Sequence, residues 1–351
     1  MFVETSLREF PLPRVAEMAR LAEELGFDGL TFSEVRHDPF VVTAVGASAT
    51  SRIELATSVA IAFPRSPMVV AQATHNLQEL SNGRFSVGLG TQVKGHIIRR
   101  FSTVWDSPGP RLREYVQSLQ AIWECWQNGT PLQYEGRFYQ FTLMTPEFNL
   151  GPTPHPLRID LAAINPYNIE TTATLARGLR VHGFNTPEYL RDVIWPAVDD
   201  AAERAGRPMD DFEMIGGGFI ACGTDEQAVR AAREQVRRRV AFYGSTRAYA
   251  PIFEHHGWGD LGPALRELIA QGRWGDLHML VGDEVLDRFC MAGTYETIAE
   301  RVGERLGGIV DRVSLPLPAN AAELQDEIAG AVAALKALPT ARQQRAAPVT
   351  R

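Results

Sequence analysis

Lysine is almost missing from this chain of 351 residues: Lys94 and Lys336 are the only two, and arginine supplies the other cations. Acidic residues outnumber basic ones, giving a formal charge of −7. A chain built to coat nucleic acid is thereby excluded, because phosphate binding is driven by clustered cations. Small-molecule partners are expected instead. Cysteine is scarce as well. Cys125, Cys222 and Cys290 are odd in number, far apart and at neither metal-ligand nor redox spacing, which fits a reducing cytoplasm. No run of about 18 apolar residues occurs, so no membrane span is expected. The opening "MFVETSLREF" has an acidic residue at position 4 and no long apolar core, and it reads as neither a signal peptide nor an anchor.

What is present is an ordinary core composition, 45% hydrophobic and 22% charged, arranged as alternating strands and helices. Residues 2–6 are β-prone. A helix over 13–25 follows, its apolar positions at helical spacing, with Gly26 as C-cap. A second strand, "DGLTFSE", ends at Glu34. The third, 53–63, is apolar at nearly every position, as strands buried on both faces are. Pro64 and Pro67 then mark a turn into a helix with Ser66 at the N-cap and Pro67 at N1, and "SNG" at 81–83 stops it before a fourth strand, "RFSVGLG". Beyond a loop-rich passage (91–108), a helix over 110–127 carries Leu112, Tyr115, Val116, Leu119, Ile122, Trp123 and Trp126 on one face. Residues 131–148 read as a hairpin excursion. Strands over 157–163, 178–184, 212–223 and 311–318 complete eight, with helices at 187–205, 224–243 and 320–338 and a helical enlargement over 245–308. The pattern predicts a single (β/α)₈ TIM barrel over 1–338 with loop and helical insertions after strands four and seven, then a flexible tail over 339–351.

In such barrels the chemistry sits at the carboxyl ends of the strands. The residues there are polar in this chain: Glu34, Arg36, His37 and Asp38 after strand two, Arg65 after strand three, Thr91, Gln92, Lys94 and His96 after strand four. Asn165 and Asn168 come after strand five, and His182 and Asn185 after strand six. A cationic pocket for an anionic tail is expected from Lys94, Arg99 and Arg100. Gly216, Gly217 and Gly218 inside strand seven imply either a flat ring approaching backbone or tight packing. Metal-dependent hydrolysis is set aside for want of His-x-His after strand one, and His255-His256 falls in the helical insertion, so no metal is expected. "GLGTQVKG" is not a dinucleotide fingerprint, and no G-x-S-x-G elbow occurs.

The block "ATSVAIAFPRSPMVVAQATHNLQELSNGRFSVGLGT" resembles the luciferase-like flavin and deazaflavin oxidoreductase family, and "EELGFDGLTFSE" and "MAGTYETIAERVGERL" extend the likeness over most of the chain. "GTQVKGHIIRRFS" is similar to a branch that uses coenzyme F420. The resemblance implies an F420-dependent oxidoreductase that moves a hydride between the deazaflavin and an organic substrate. The alternatives are an FMN-dependent monooxygenase and a flavin- or deazaflavin-binding protein without turnover. It implies a ring cofactor over a cis peptide at Ser58-Val59 or one residue later, with Ala60 and Ile61 beneath. Glu34 matches the family's acidic residue, Thr91 the hydroxyl beside Gln92, and Ala163, Ile164 and Asn165 the phosphate-holding turn. His182 is a further candidate contact. Where several F420 members place a histidine after the acidic residue, this chain has Val35, which leaves Glu34 and His37 as the candidates for proton transfer. A homodimer is the common state of this family.

Overall fold

A computed structural model describes residues 1–346. Eight parallel strands form its centre: β1 (Phe2–Ser6), β2 (Gly29–Phe32), β3 (Glu54–Thr57), β4 (Phe85–Gly90), β5 (Ile159–Ala162), β6 (Gly178–Arg180), β7 (Glu213–Ile215) and β8 (Arg312–Ser314). Each pairs in parallel with its neighbours in sequence order. Glu4 lies opposite Gly29, Leu55 opposite Phe85 and Leu161 opposite Leu179, and β8 returns to β1 at Val313 and Val3, closing the ring. The predicted barrel is the observed one.

Local chemistry explains the junctions. Ser66 accepts from the Met68 N–H and Pro67 occupies the first turn of the helix Pro67–Leu80. The helix Pro108–Asn128 buries the anticipated stripe from Leu112 to Trp126 and ends at Gly129, whose φ of 67° is the left-handed C-cap glycine favours. The excursion contains an antiparallel pair, Tyr134–Glu135 with Gln140–Phe141. No helix among the described residues is long and apolar enough to cross a membrane.

Four expectations need correction. The third strand is not continuous over 53–63: it breaks at a cis peptide between Ser58 and Val59 and resumes as Ala60–Ile61, opposite Leu89 and Gly90 of β4. The seventh is not continuous over 212–223 either. Gly216, Gly217 and Gly218 have φ of 95°, 128° and 116°, and beyond them Phe219–Gly223 leaves the barrel to pair with Cys290–Thr294, so 245–308 is not wholly helical. A Cβ on Gly216 would lie 2.8 Å from the Val181 carbonyl oxygen; these glycines redirect the chain in tight packing. Residues 39–49, where the alternation placed no helix, form one with Pro39 at its start and Asp38 accepting from the Phe40 and Val41 N–H groups. Finally, residues 339–346 are docked where a loose tail was expected. The Ala341 N–H donates to the Val310 carbonyl, and Arg345 pairs with Asp199 at 2.5 Å. Residues 347–351 lie outside the described residues.

The barrel interior below the strand ends is ionic. Arg180 pairs with Glu4 at 3.2 Å and Asp160 at 3.0 Å, and Arg312 with Glu213 at 2.8 Å and Glu54 at 2.6 Å. Glu4, Asp160, Arg180, Glu213 and Arg312 are all buried. Burial alone would weaken the Arg312 charge, but Glu213 and Glu54 outweigh it and hold the guanidinium above its ordinary pKa.

Candidate functional site at the carboxyl rim

The strand bodies are sealed and their carboxyl ends are not. Ser6, Ser33, Ser58, Thr91, Ala162, Val181 and Gly216 are each half-buried and Ser314 is exposed. All but Val181 are small, so few side chains close off the mouth formed by the ends of the eight strands. The close approach of backbones beneath it depends on glycine: a Cβ on Gly88 would stand 2.0 Å from the Thr57 carbonyl oxygen, and one on Gly90 would strike Val59 Cγ2 at 2.8 Å. Thr57 fastens the same place, its hydroxyl donating to the Gly88 carbonyl at 2.7 Å and accepting the Gly88 N–H at 2.8 Å.

At the end of β2, Glu34 is held from two sides. The Ile61 N–H donates to its carboxylate at 2.7 Å, and Arg65 Nη1 donates to both oxygens at 2.9 and 2.7 Å. Arg65 Nη2 reaches Asp38 at 2.6 Å. Burial opposes both charges, but the Glu34 and Asp38 carboxylates outweigh it and raise the Arg65 pKa, while Arg65 with the Val41 and Phe40 N–H groups lowers that of Asp38. These contacts tie Glu34 to the resumed strand at Ile61 and to Arg65. His37 points elsewhere: its Nε2 lies 3.3 Å from the Phe10 carbonyl oxygen, in the loop after β1.

Ser58, Val59, Ala60 and Ile61 stand together at the mouth, the first two half-buried and the last two buried. Thr91 and Gln92 follow β4, where the Thr91 hydroxyl donates to the Gln92 carbonyl, Gln92 takes a φ of 58°, and its Oε1 accepts the Val93 N–H. Ala163 and Ile164 lead from β5 into the helix Pro166–Leu175, which Asn165 caps by accepting the Asn168 N–H at 2.9 Å. Asn168 is buried, and its Oδ1 has no partner among the described residues. The helix start beside the half-open strand ends, with its free N–H groups, fits an anionic tail reaching there. His182 lies two residues after β6, and the Phe184 N–H donates to its Nδ1 at 2.9 Å. Lys94, Arg99 and Arg100 are exposed, and Arg100 donates to the Val35 carbonyl.

Sequence reasoning put Arg65 at the rim without a role; its signal was the Pro-Arg-Ser-Pro turn directly after strand three. It missed Tyr243 and Tyr249, which the insertion brings against His182, and no local pattern could have placed them there. It also missed Arg111, which lies over Phe63 at 4.6 Å and donates to the Tyr139 hydroxyl, joining excursion to rim. An open groove of about 560 Å³, lined by Trp126, Met144, Thr145 and Pro152 among others, includes none of the strand-end residues. Among the described residues no group of three or more His, Cys, Asp or Glu side chains could hold a metal.

A family model described as luciferase-like monooxygenase matches residues 2–312. An uncharacterized protein of Mycobacterium tuberculosis is 42% identical over 307 residues, covering 87% of this chain and 90% of the relative. The 5,10-methylenetetrahydromethanopterin reductase of Archaeoglobus fulgidus is 26% identical over 293 residues, covering 81% and 83%. Among solved structures, the coenzyme F420-dependent tetrahydromethanopterin reductase of Methanopyrus kandleri shares the fold, with a TM-score of 0.75 at 20% identity over 94% of this chain and 97% of that one.

Proposed function

This chain belongs to the luciferase-like monooxygenase family and is an oxidoreductase that takes a flavin-type ring, and from that premise we propose that the ring is F420 and that the reaction moves a hydride to or from a small organic substrate. The observation that carries the reading is the mouth itself: small, half-buried strand ends around Ser58-Val59, braced beneath by the Glu34–Arg65 pair. A bound deazaflavin would supply the hydride-exchanging carbon. The protein's part is to seat and orient the ring and to keep water from it. Ser58 to Ile61 form the seat, Thr91 and Gln92 one wall, and Ala163, Ile164 and Asn165 the approach for the phosphate-bearing tail. Glu34 holds the seat in register through Ile61, and Glu34 and His37 remain the candidates for proton transfer. The names of the two reductase relatives, both in pterin reduction and one stated to use F420, support F420 over FMN. The family's description favours a second reading, an FMN-dependent monooxygenase. A homodimer in the cytoplasm completes the proposal.

Titration of the apo-protein separately with F420 and FMN decides between the readings. Tighter F420 binding, with bleaching of the deazaflavin absorbance when substrate is added, is expected. Preferential FMN binding with oxygen consumption would establish the monooxygenase, and retention of either cofactor without turnover on any substrate would leave a binding protein. Light scattering reports the oligomeric state.

A further inference from the structure

His182 has surroundings that the seat described above does not use. Its Nδ1 accepts the Phe184 N–H at 2.9 Å, so that nitrogen offers a lone pair and the ring proton resides on Nε2. The ring cannot turn freely to exchange the two. Tyr243 meets it edge-on at 4.3 Å and 72°, and Tyr249 lies tilted by 32° at 5.1 Å, itself packed on Phe184. The other nitrogen differs. Nε2 makes no protein hydrogen bond among the described residues, and it is not fully sealed from solvent.

The charged and titratable groups around it agree with an uncharged ring. From the loop after β1 comes Arg8, already paired with Glu9 at 2.8 Å; from the insertion come the phenols Tyr243 and Tyr249, the latter kept protonated by burial. Among the described residues no carboxylate bonds to the imidazole. Burial first, then the Arg8 charge, lowers the His182 pKa to about 4.

We propose that His182 is a fixed, uncharged Nε2–H donor that anchors an sp² carbonyl oxygen in the mouth, belonging either to the bound ring cofactor or to an organic carbonyl substrate. The chemistry selects this acceptor. A cationic imidazolium would suit a phosphate or carboxylate, whereas a neutral donor with an enclosed ring suits a neutral oxygen and keeps its state across physiological pH. The ligand named here rests on the proposed function; the state of the imidazole does not.

The test is long-range ¹H–¹⁵N NMR on protein labelled at histidine nitrogen, with the His182→Phe spectrum identifying the signal. Between pH 5 and 8 a pyrrole-type Nε2 and a pyridine-type Nδ1 that do not titrate are expected. Addition of oxidised F420 or FMN, and then acetone as a carbonyl probe, should shift Nε2. A shift on cofactor addition alone assigns the ring carbonyl; a shift only with acetone assigns the substrate. The His182→Phe variant, which keeps the packing and lacks the donor, should bind that ligand about tenfold more weakly, while His182→Gln, which keeps an N–H, should stay within about threefold. An imidazolium at pH 6, the Nδ1–H tautomer, or an unmoved Nε2 with cofactor and acetone both bound overturns the proposal. If cofactor fluorescence shows that neither F420 nor FMN binds, the proposed function fails and takes the named ligand with it, whatever the tautomer.

Discussion

Arg65 is the residue through which the rim's charges meet. Its guanidinium satisfies Glu34, whose side chain is only 7% exposed, and reaches Asp38, which in turn caps the helix Pro39–Ala49. Removing one partner of such a pair leaves an uncompensated buried charge, which costs more than the pair itself contributes. Arg65→Ala is therefore expected to lower stability by about 3 kcal/mol in urea titrations and to weaken cofactor binding. The double variant Arg65→Met, Glu34→Gln should lose less stability than the single one, and an equal or larger loss would contradict the ionic account. His182 gives a pH-dependent prediction. Its pKa falls from 6.5 in the unfolded chain to about 4 in the folded one, so between these values the unfolded state binds the extra proton. Its contribution to stability is complete above about pH 6.5 and is lost as the pH falls toward 4, by an upper limit of roughly 3 kcal/mol. Comparing unfolding free energies of the wild type and His182→Gln from pH 4.5 to 7.5 isolates this part: the two curves should converge on acidification.

Whole elements are tied to the barrel by few polar bonds. The helix Ala250–His255, part of the insertion after β7, meets the segment after β6 through His255 to Asp192 at 3.4 Å, and the next residue, His256, lies 2.8 Å from the Thr186 hydroxyl. Thr186 also caps the following helical turn by accepting the Tyr189 N–H, so its own hydroxyl proton is free to go to His256 Nε2. One side chain thus serves two elements. Thr186→Ala should cost about 1–2 kcal/mol, the range of a lost N-cap. It should also speed amide exchange in Ala250–His255 while leaving β1 and β4 protected. Uniform acceleration across the barrel would mean that the insertion is not separately latched.

At the scale of the whole molecule, ring closure rests on the buried ionic layer. Arg180 of β6 joins Glu4 of β1 to Asp160 of β5, and Arg312 of β8 joins Glu213 of β7 to Glu54 of β3. Two of these bonds, Arg180–Glu4 and Arg312–Glu54, cross the interior between strands that are not neighbours. Arg180→Met leaves two buried carboxylates facing each other and should destabilise the fold by about 3–5 kcal/mol. Because the layer is shielded from solvent, raising the salt from 0.05 to about 0.5 M should change that difference little. A strong salt dependence would place the layer's contribution at the surface instead.

Much of this was legible from local pattern. Ser66, Pro67 and the "SNG" stop define a helix because caps and positive-φ turns are satisfied within a few residues, and β1 to β4 follow from apolar runs between such signals. The Ser58-Val59 break came from family resemblance, and the strand-end location of Glu34 and Thr91 from barrel logic, neither from periodicity. Other features had no local signal. The "FEMIGGGFIACG" run looks like one strand, and only the packing of Val181, Leu190 and Met291 against Gly216 to Gly218 turns its second half toward Cys290–Thr294. His182 reads from sequence as one polar residue after a strand; its tautomer depends on Tyr243 and Tyr249, about sixty positions away, and on one peptide N–H. The sequence by itself determined the alternation of elements, the closed barrel and the rim where ligands gather, because those depend on neighbours in the chain. The tertiary structure alone decided which charges pair, which nitrogen bears a proton and which carboxylate is pinned, because those energies are set by distances between residues that meet only when the ring closes.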